Sequence, residues 1–348
     1  MNVREDVALA TLTTLKVGGP ARYVLTLDTE DDIETALAFT RERGLPYVVL
    51  GEGSNVLASD APYEGVVFQM RIPGIRFQAE GTTALVTAGA GVSWDELVRE
   101  CADRSLWGIE NLAGIPGTVG AAPVQNIGAY GAEVRAALES VTAYDTRENR
   151  LRTFTNAECG FSYRDSRFKH EPELIITSVT FRLATMGVPH IEYADFVALR
   201  DNGTDLGTPA AIGTAVRDVR SRKFPSLLEY GTAGSFFKNP IVSEQVFNEL
   251  QKRYEKEAAP YGGIPRYPVP GQVKIPLAFI LDKFLGLRGY QLGPAFLFGN
   301  QPLVLVAGKG ARAADVDALA RDIEMRVERA TGIRIEREVR HVNAHEGK

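Results

Sequence analysis

Three stretches hold residues whose types and spacing could do chemistry. The first is Trp107–Gly131, WGIENLAGIPGTVGAAPVQNIGAYG, in which Glu110 is the only charge. Glycine and alanine leave backbone N–H groups open to close approach by a ligand. Pro116 and Pro123 stiffen the stretch, and Gln125 and Asn126 add two side-chain amides. A long ordered loop without charge points to binding, although a buried glycine-rich turn region would share its composition. The second stretch is Gly51-Glu52-Gly53-Ser54-Asn55. Glycines at a strand end let successive N–H groups form a concave nest suited to a pyrophosphate; a plain hairpin turn fits as well. It is not a dinucleotide fingerprint, because the third glycine is missing and Asn55-Val56-Leu57 returns to strand. The third stretch, FSYRDSRFKH, follows Gly160 and ends at His170. Arg164 there could clamp an anion through two N–H groups, or form a structural pair with an Asp.

The elements that must position these stretches follow from periodicity. Arg22–Leu27 reads as a strand, Thr29 and Asp32 open a helix that ends at Gly44, and Tyr47–Leu50 is an apolar strand. This βαβ pattern places a small α/β unit first. Further strands are predicted at Val66–Met70, Ala84–Ala88, Val141–Tyr144, Leu151–Phe154 and Leu174–Leu183. Ser93 to Glu96 reads as a capping box for a helix to about Asp103. Thr208-Pro209 caps a helix to Arg222, and others are predicted at Ser243–Glu257, Leu277–Leu285 and Arg312–Ala330. The last of these carries an apolar stripe of Val316, Leu319, Ile323 and Val327, which reads as core. Five prolines from Pro260 to Pro276 predict a long surface loop, and Ile333–Arg340 predicts a closing strand.

At 348 residues the chain is long enough for two or three domains. The formal charge of −5 has no basic block within it, which argues against non-specific nucleic-acid binding. Cys101 and Cys159 form no CxxC, and His170, His190, His341 and His345 show no ligand spacing, so no metal site is expected. The N-terminus has no apolar signal core and no run approaches a membrane span, so a cytoplasmic protein is expected.

Taken in order, the segments LGEGSNVL (Leu50–Leu57), ENLAGIPGTVGAAPVQNIGAYG (Glu110–Gly131), YRDSRFK (Tyr163–Lys169), GSFFKNP (Gly234–Pro240) and EREVR (Glu336–Arg340) resemble the UDP-N-acetylenolpyruvoylglucosamine reductase (MurB) family. The likeness runs over nearly the whole chain, and EYADF around Tyr193 resembles the tyrosine-bearing loop of the family's longer type. The resemblance implies an α+β fold of three domains. Two form a flavin-binding half like that of vanillyl-alcohol-oxidase-like enzymes, at residues 1–71 plus 336–348 and at 72–217. Residues 218–335 form a third, substrate-binding domain.

The implied reaction reduces an enolpyruvyl ether to a lactyl ether in peptidoglycan synthesis, with noncovalent FAD as cofactor, NADPH as reductant and UDP-N-acetylglucosamine enolpyruvate as substrate. By the same resemblance, Arg164 and Glu338 act on the substrate carboxylate and Ser235 donates the proton. A serine is a poor acid in water and needs charge and a dry site. Glu338 would serve best as the protonated acid, since an anion opposes the developing charge. The implied FAD contacts are Gly51, Glu52, Gly53, Ser54, Asn55, Ile115, Pro116, Gly117, Gly120, Ala121, Gln125, Asn126, Gly128 and Ala129. Tyr130, Tyr193, Lys223, Asn239 and Gln301 are implied for the nucleotide.

Thr13-Thr14 and Phe298-Gly299-Asn300 depart from the family pattern, which bears on the contacts at 293–301. Two other classes compete: a flavin oxidase on the same fold, and a non-enzymatic nucleotide-sugar binder. No His or Cys lies in the glycine-rich loops to tether a flavin covalently, and a binder would not need Arg164, Ser235 and Glu338 together. A monomer is expected.

Overall fold

The computed structural model describes residues 1–342. Helices and mostly antiparallel sheets are unevenly interleaved, an α+β arrangement built on several sheets. The first sheet orders its strands Asn2–Ala8, Pro20–Leu27, Tyr63–Met70 and Tyr47–Leu50. The last three run parallel, as the opening βαβ pattern requires, and the strand at Asn2–Ala8 adds an antiparallel edge. Helix Asp31–Arg43 makes the crossover. Asp32 Oδ2 accepts the Thr29 N–H at 3.0 Å, Thr29 Oγ1 accepts the Asp32 N–H at 3.3 Å, and Gly44 ends the helix at φ 63°.

The second sheet is wholly antiparallel: Arg150–Thr155, Leu138–Asp145, Leu174–Ala184, Thr83–Gly89 and Ile75–Glu80. Helices Trp94–Asp103 and Pro209–Lys223 pack together beside it. One core joins it to the first unit, running from Leu25, Leu27 and Ile33 through Val86, Trp94 and Phe181 to Val219. A separate core fills the third unit, where Gly231–Ser235, Val304–Ala307, Ala295–Leu297 and Gln291–Leu292 form a sheet under helix Ala313–Thr331. Val316, Leu319, Ile323 and Val327 are all fully buried there. Each such side chain contributes about 1.5–3 kcal/mol.

Five sequence expectations are corrected. Ile333–Arg340 is not a strand; its backbone is irregular except for a bridge between Arg337 and Phe237, and the strand is Arg340–Val342. The segment pairs first with one unit and then with another, so no single ladder extends along it. Arg340–Val342 lies parallel to Val56–Ala58 and returns the chain to the first unit. The proline-rich stretch holds a hairpin, Tyr267–Val269 with Gln272–Lys274, because Pro270-Gly271 makes a turn with Gly271 at φ 70°. The helix predicted at Ser243–Glu257 breaks at Tyr254, and the one at Leu277 becomes a wider π turn over Ile280–Phe284. The capping box at Ser93 does not close: its side chain makes no cap bond, and its backbone instead bridges to Thr118 in the glycine-rich loop.

Candidate active site

The two glycine-rich stretches come together because neither leaves room for more side chain. A Cβ on Gly51 would meet Thr118 Oγ1 at 2.4 Å, and one on Gly53, at φ 62°, would meet the Leu12 carbonyl oxygen at 2.3 Å. The loops are then pinned to each other. Ser54 Oγ donates to the Pro116 carbonyl at 3.0 Å, and Glu52 Oε2 accepts the Gly117 N–H at 3.0 Å. Burial pushes the Glu52 carboxyl up, against the Gly117 N–H and Arg71. Trp94 Nε1 donates to the Leu112 carbonyl at 2.8 Å, and Asp95 Oδ1 accepts the Gly114 N–H at 2.6 Å, so helix Trp94–Asp103 braces the longer loop from behind.

Between the loops and the third unit lies a cavity of about 770 Å³. Gly51, Glu52, Gly53, Ser54, Asn55, Ile115, Pro116, Gly117, Gly120, Ala121, Gln125 and Gly128 line it, as do Arg164, Ser235 and Glu338. Asn126 and Ala129 do not. Asn126 is fully buried and its amide is spent inside the loop, donating to Glu133 Oε2 at 3.1 Å and the Ser162 carbonyl at 2.9 Å while accepting the Arg135 N–H. Ala129 pairs with Ala132 in a two-residue hairpin.

Arg164, Ser235 and Glu338 converge from three separate parts of the chain. Arg164 takes a left-handed backbone, φ 55°, and its guanidinium donates to the Gly128 carbonyl at 2.7 Å. Its Nε lies 3.0 Å from Glu338 Oε1, an ion pair by distance whose N–H is not aimed along the line of a hydrogen bond. Ser235 ends a strand; the next residue, Phe236, accepts the Glu338 N–H at 2.9 Å, which brings the serine and the glutamate alongside. Asn55 Nδ2 donates to the Glu338 carbonyl at 3.1 Å and ties this corner to the first glycine loop. Burial pushes the Glu338 carboxyl above the usual range, against the pull of Arg164, Lys169 and Lys238.

A second cluster gathers around Lys223. The rings of Tyr130 and Tyr193 meet edge to face at 5.3 Å. Lys223 Nζ stands 5.9 and 5.6 Å from their centroids and 2.5 Å from Asp195 Oδ2. Burial pushes the Tyr130 phenol up to about 12. The Tyr193 segment is partly helical, over Ala194–Asp201, with Tyr193 at its start. Asn239 stands near Arg164: its N–H donates to the Tyr163 hydroxyl at 3.3 Å and its Oδ1 accepts the Leu277 N–H. Gln301 sits in the turn before strand Val304–Ala307, bonded through its backbone to Phe298 and Val304. Among the described residues no group of His, Cys, Asp or Glu could hold a metal; His345 lies outside them.

The donor set fits a flavin dinucleotide. The cavity is large, its loops offer bare backbone in place of side chains, and apolar walls at Met70, Trp94 and Ile175 suit flat rings. Residues 21–153 match the FAD binding domain family, and residues 226–342 match the UDP-N-acetylenolpyruvoylglucosamine reductase, C-terminal domain family. The UDP-N-acetylenolpyruvoylglucosamine reductase of Cupriavidus pinatubonensis is 42% identical over 91% of this chain and 93% of its own length. That of Ralstonia nicotianae is 40% identical over 93% and 95%. The chain belongs to the UDP-N-acetylenolpyruvoylglucosamine reductase family. A solved MurB from Thermus caldophilus superposes on 98% of the chain and 99% of its own, with a TM-score of 0.67 and 27% identity. As a member of the MurB family the protein is a flavin-dependent oxidoreductase of peptidoglycan synthesis. It reduces UDP-N-acetylglucosamine enolpyruvate to UDP-N-acetylmuramate, with FAD as cofactor and NADPH as reductant.

Two cavity residues of this chain escape a reading of the sequence. Arg220 lines the cavity, donates to the Gly114 carbonyl at 2.9 Å, and has no carboxylate within ion-pair distance among the described residues. The signal was the basic run Arg217–Lys223, in which the phase of the helix decides which cation faces inward. Lys169 also lines the cavity, and its Nζ donates to the Arg164 carbonyl at 3.2 Å. It belongs to YRDSRFK but carries no chemistry that sequence alone singles out.

Proposed function

We propose that Arg164, Ser235 and Glu338 carry the second half of the reduction. The observation that supports this is their meeting: a buried guanidinium–carboxyl pair beside a serine, at one end of the flavin-sized cavity. Bound FAD supplies the two-electron chemistry, accepting hydride from NADPH and giving it to the vinyl carbon distal to the ether oxygen. Negative charge then builds into the substrate carboxylate. Arg164 opposes that charge directly, and Glu338 in its protonated form, which burial favours, donates a hydrogen bond where an anion would repel. Ser235 delivers a proton to the neighbouring carbon.

Tyr130, Tyr193 and Lys223, with Asn239 and Gln301, hold the uridine diphosphate. Arg220 faces a diphosphate across the cavity. The glycine loops at 51–55 and 115–121 approach the FAD pyrophosphate with backbone N–H groups. Residues 1–71 plus 336–348 and residues 72–217 make the flavin-binding half, of the vanillyl-alcohol-oxidase-like type, and 218–335 make the substrate domain. Residues 343–348 of the first of these lie outside the described residues. The protein acts as a cytoplasmic monomer.

One experiment tests the order of the two half-reactions. The holoenzyme is mixed with NADPH without oxygen, then with the enolpyruvyl substrate, while flavin absorbance is followed. Bleaching by NADPH and recovery with the substrate is expected. Recovery only on admitting oxygen would make it an oxidase.

A further inference from the structure

We propose that Asp195 is a counter-anion which the substrate's diphosphate must displace from Lys223, and which retakes Lys223 as product leaves. This rests on the assignment of Lys223 to the diphosphate. Lys223 is not a bare cation awaiting an anion. Its ammonium lies 2.5 Å from Asp195 Oδ2, both side chains are more than two-thirds covered, and the faces of Tyr130 and Tyr193 flank it. A phosphate approaching that ammonium meets a carboxylate already in place.

Both partners are held where they stand. Lys223 ends the helix Pro209–Lys223, where the carbonyl dipoles favour a cation. Asp195 sits in the first turn of Ala194–Asp201, two residues after Tyr193. Its segment is fixed on both sides. Asn111 Nδ2 donates to the His190 carbonyl at 2.7 Å, and Phe196, wholly buried, packs 5.2 Å from the Tyr130 ring. The Asp195–Lys223 contact is therefore built by neighbouring packing and not by two free side chains finding each other.

The chemistry of the reaction gives that contact a use. Substrate and product carry the same diphosphate, so affinity gained there is uniform and does not speed the chemical step. A site that gripped the diphosphate with an unopposed lysine would hold product as firmly as substrate. An internal carboxylate weakens both equally and offers Lys223 a partner at the moment of release. Asp195 thereby sets the affinity of the diphosphate subsite without touching the reacting carbons.

The test uses the FAD-loaded enzyme, with UDP and uridine as probes titrated by calorimetry. Asp195→Asn should bind UDP roughly two- to fivefold more tightly, the range expected for a partly exposed ion pair. Uridine, which has no phosphate, should bind as before. KM for the enolpyruvyl substrate should fall and inhibition by UDP-N-acetylmuramate should strengthen by the same factor. Asp195→Ser should behave like Asp195→Asn. Weaker or unchanged UDP binding in both variants would overturn the proposal, the first by showing that Asp195 merely holds Lys223 in place. Lys223→Ala separates the two levels: if it leaves UDP affinity unaltered, the assignment of Lys223 to the diphosphate is what fails.

Discussion

Arg164 Nε and Glu338 Oε1 stand 3.0 Å apart, although most of the second and third units separates the two residues along the chain. The pair is buried, and its burial governs how it titrates. Desolvation raises the Glu338 carboxyl, and Arg164, Lys169 and Lys238 only partly offset it. The folded protein therefore keeps this proton at pH values where a free glutamate has lost it. The substrate-consuming half-reaction should be fastest below the raised pKa and fall as pH rises through it. Glu338→Gln keeps an uncharged donor and removes the titration, so its rate should be lower but flat across that window. Stopped-flow rates of flavin reoxidation by substrate over a pH series check this. A persisting limb in Glu338→Gln would belong to another group, with Lys169, whose ammonium burial lowers, the first candidate.

Ser235→Ala should separate the two half-reactions. Reduction by NADPH needs no proton from Ser235, because the enolpyruvyl substrate is absent. Reoxidation by that substrate should slow ~10²–10⁴-fold with the proton donor removed. If Ser235 only shaped the strand end, both steps would survive in the same stopped-flow traces.

Tyr193→Phe and Lys223→Ala should raise KM more than they lower kcat. Both are proposed to hold the diphosphate and not the reacting carbons, so their contacts serve ground state and transition state alike. Steady-state kinetics with the enolpyruvyl substrate varied decide it. A large loss in kcat at constant KM would move them into the chemistry.

The purified protein should be yellow and release FAD, not FMN, when denatured. The cavity of about 770 Å³ and its two bare-backbone loops leave room for a dinucleotide. Chromatography of the released flavin gives the answer.

Asp95→Asn should loosen FAD and destabilise the fold by ~2 kcal/mol. Burial raises the Asp95 carboxyl, but the Gly114 N–H, Arg217 and Arg99 outweigh burial and hold it below the ordinary value. A lowered pKa contributes stability above the unfolded value of about 3.9, lost as pH falls through the folded one. The gap between wild type and variant in urea midpoint should thus narrow in acid. A gap that stays constant would show that hydrogen-bond geometry, and not charge, is what Asp95 provides.

Much of this was legible in the residues. The helix from Asp31 announced itself by Thr29, Asp32 and Gly44, all local signals, and the stripe on Ala313–Thr331 is core as its period says. The glycine loops were readable because glycine marks close approach, and Gly51 against Thr118 shows that approach. What sequence could not supply was anything set by two distant segments at once. Ile333–Arg340 alternates like a strand, yet its partners change part-way, from Phe237 to Val56–Ala58. Asn126 looked like a ligand amide, but Glu133 and Ser162 claim it. Arg220 and Asp195 matter through what they face, and neither has a motif of its own.

The parallel pairing of Arg340–Val342 with Val56–Ala58 also fixes when the site can exist. Ribosomal synthesis delivers the glycine loops long before Glu338. Until the segment around Glu338 has emerged and docked, Arg164 and Ser235 lack the carboxyl that completes their corner. The catalytic corner is therefore assembled later than the glycine loops, to which Asn55 ties it.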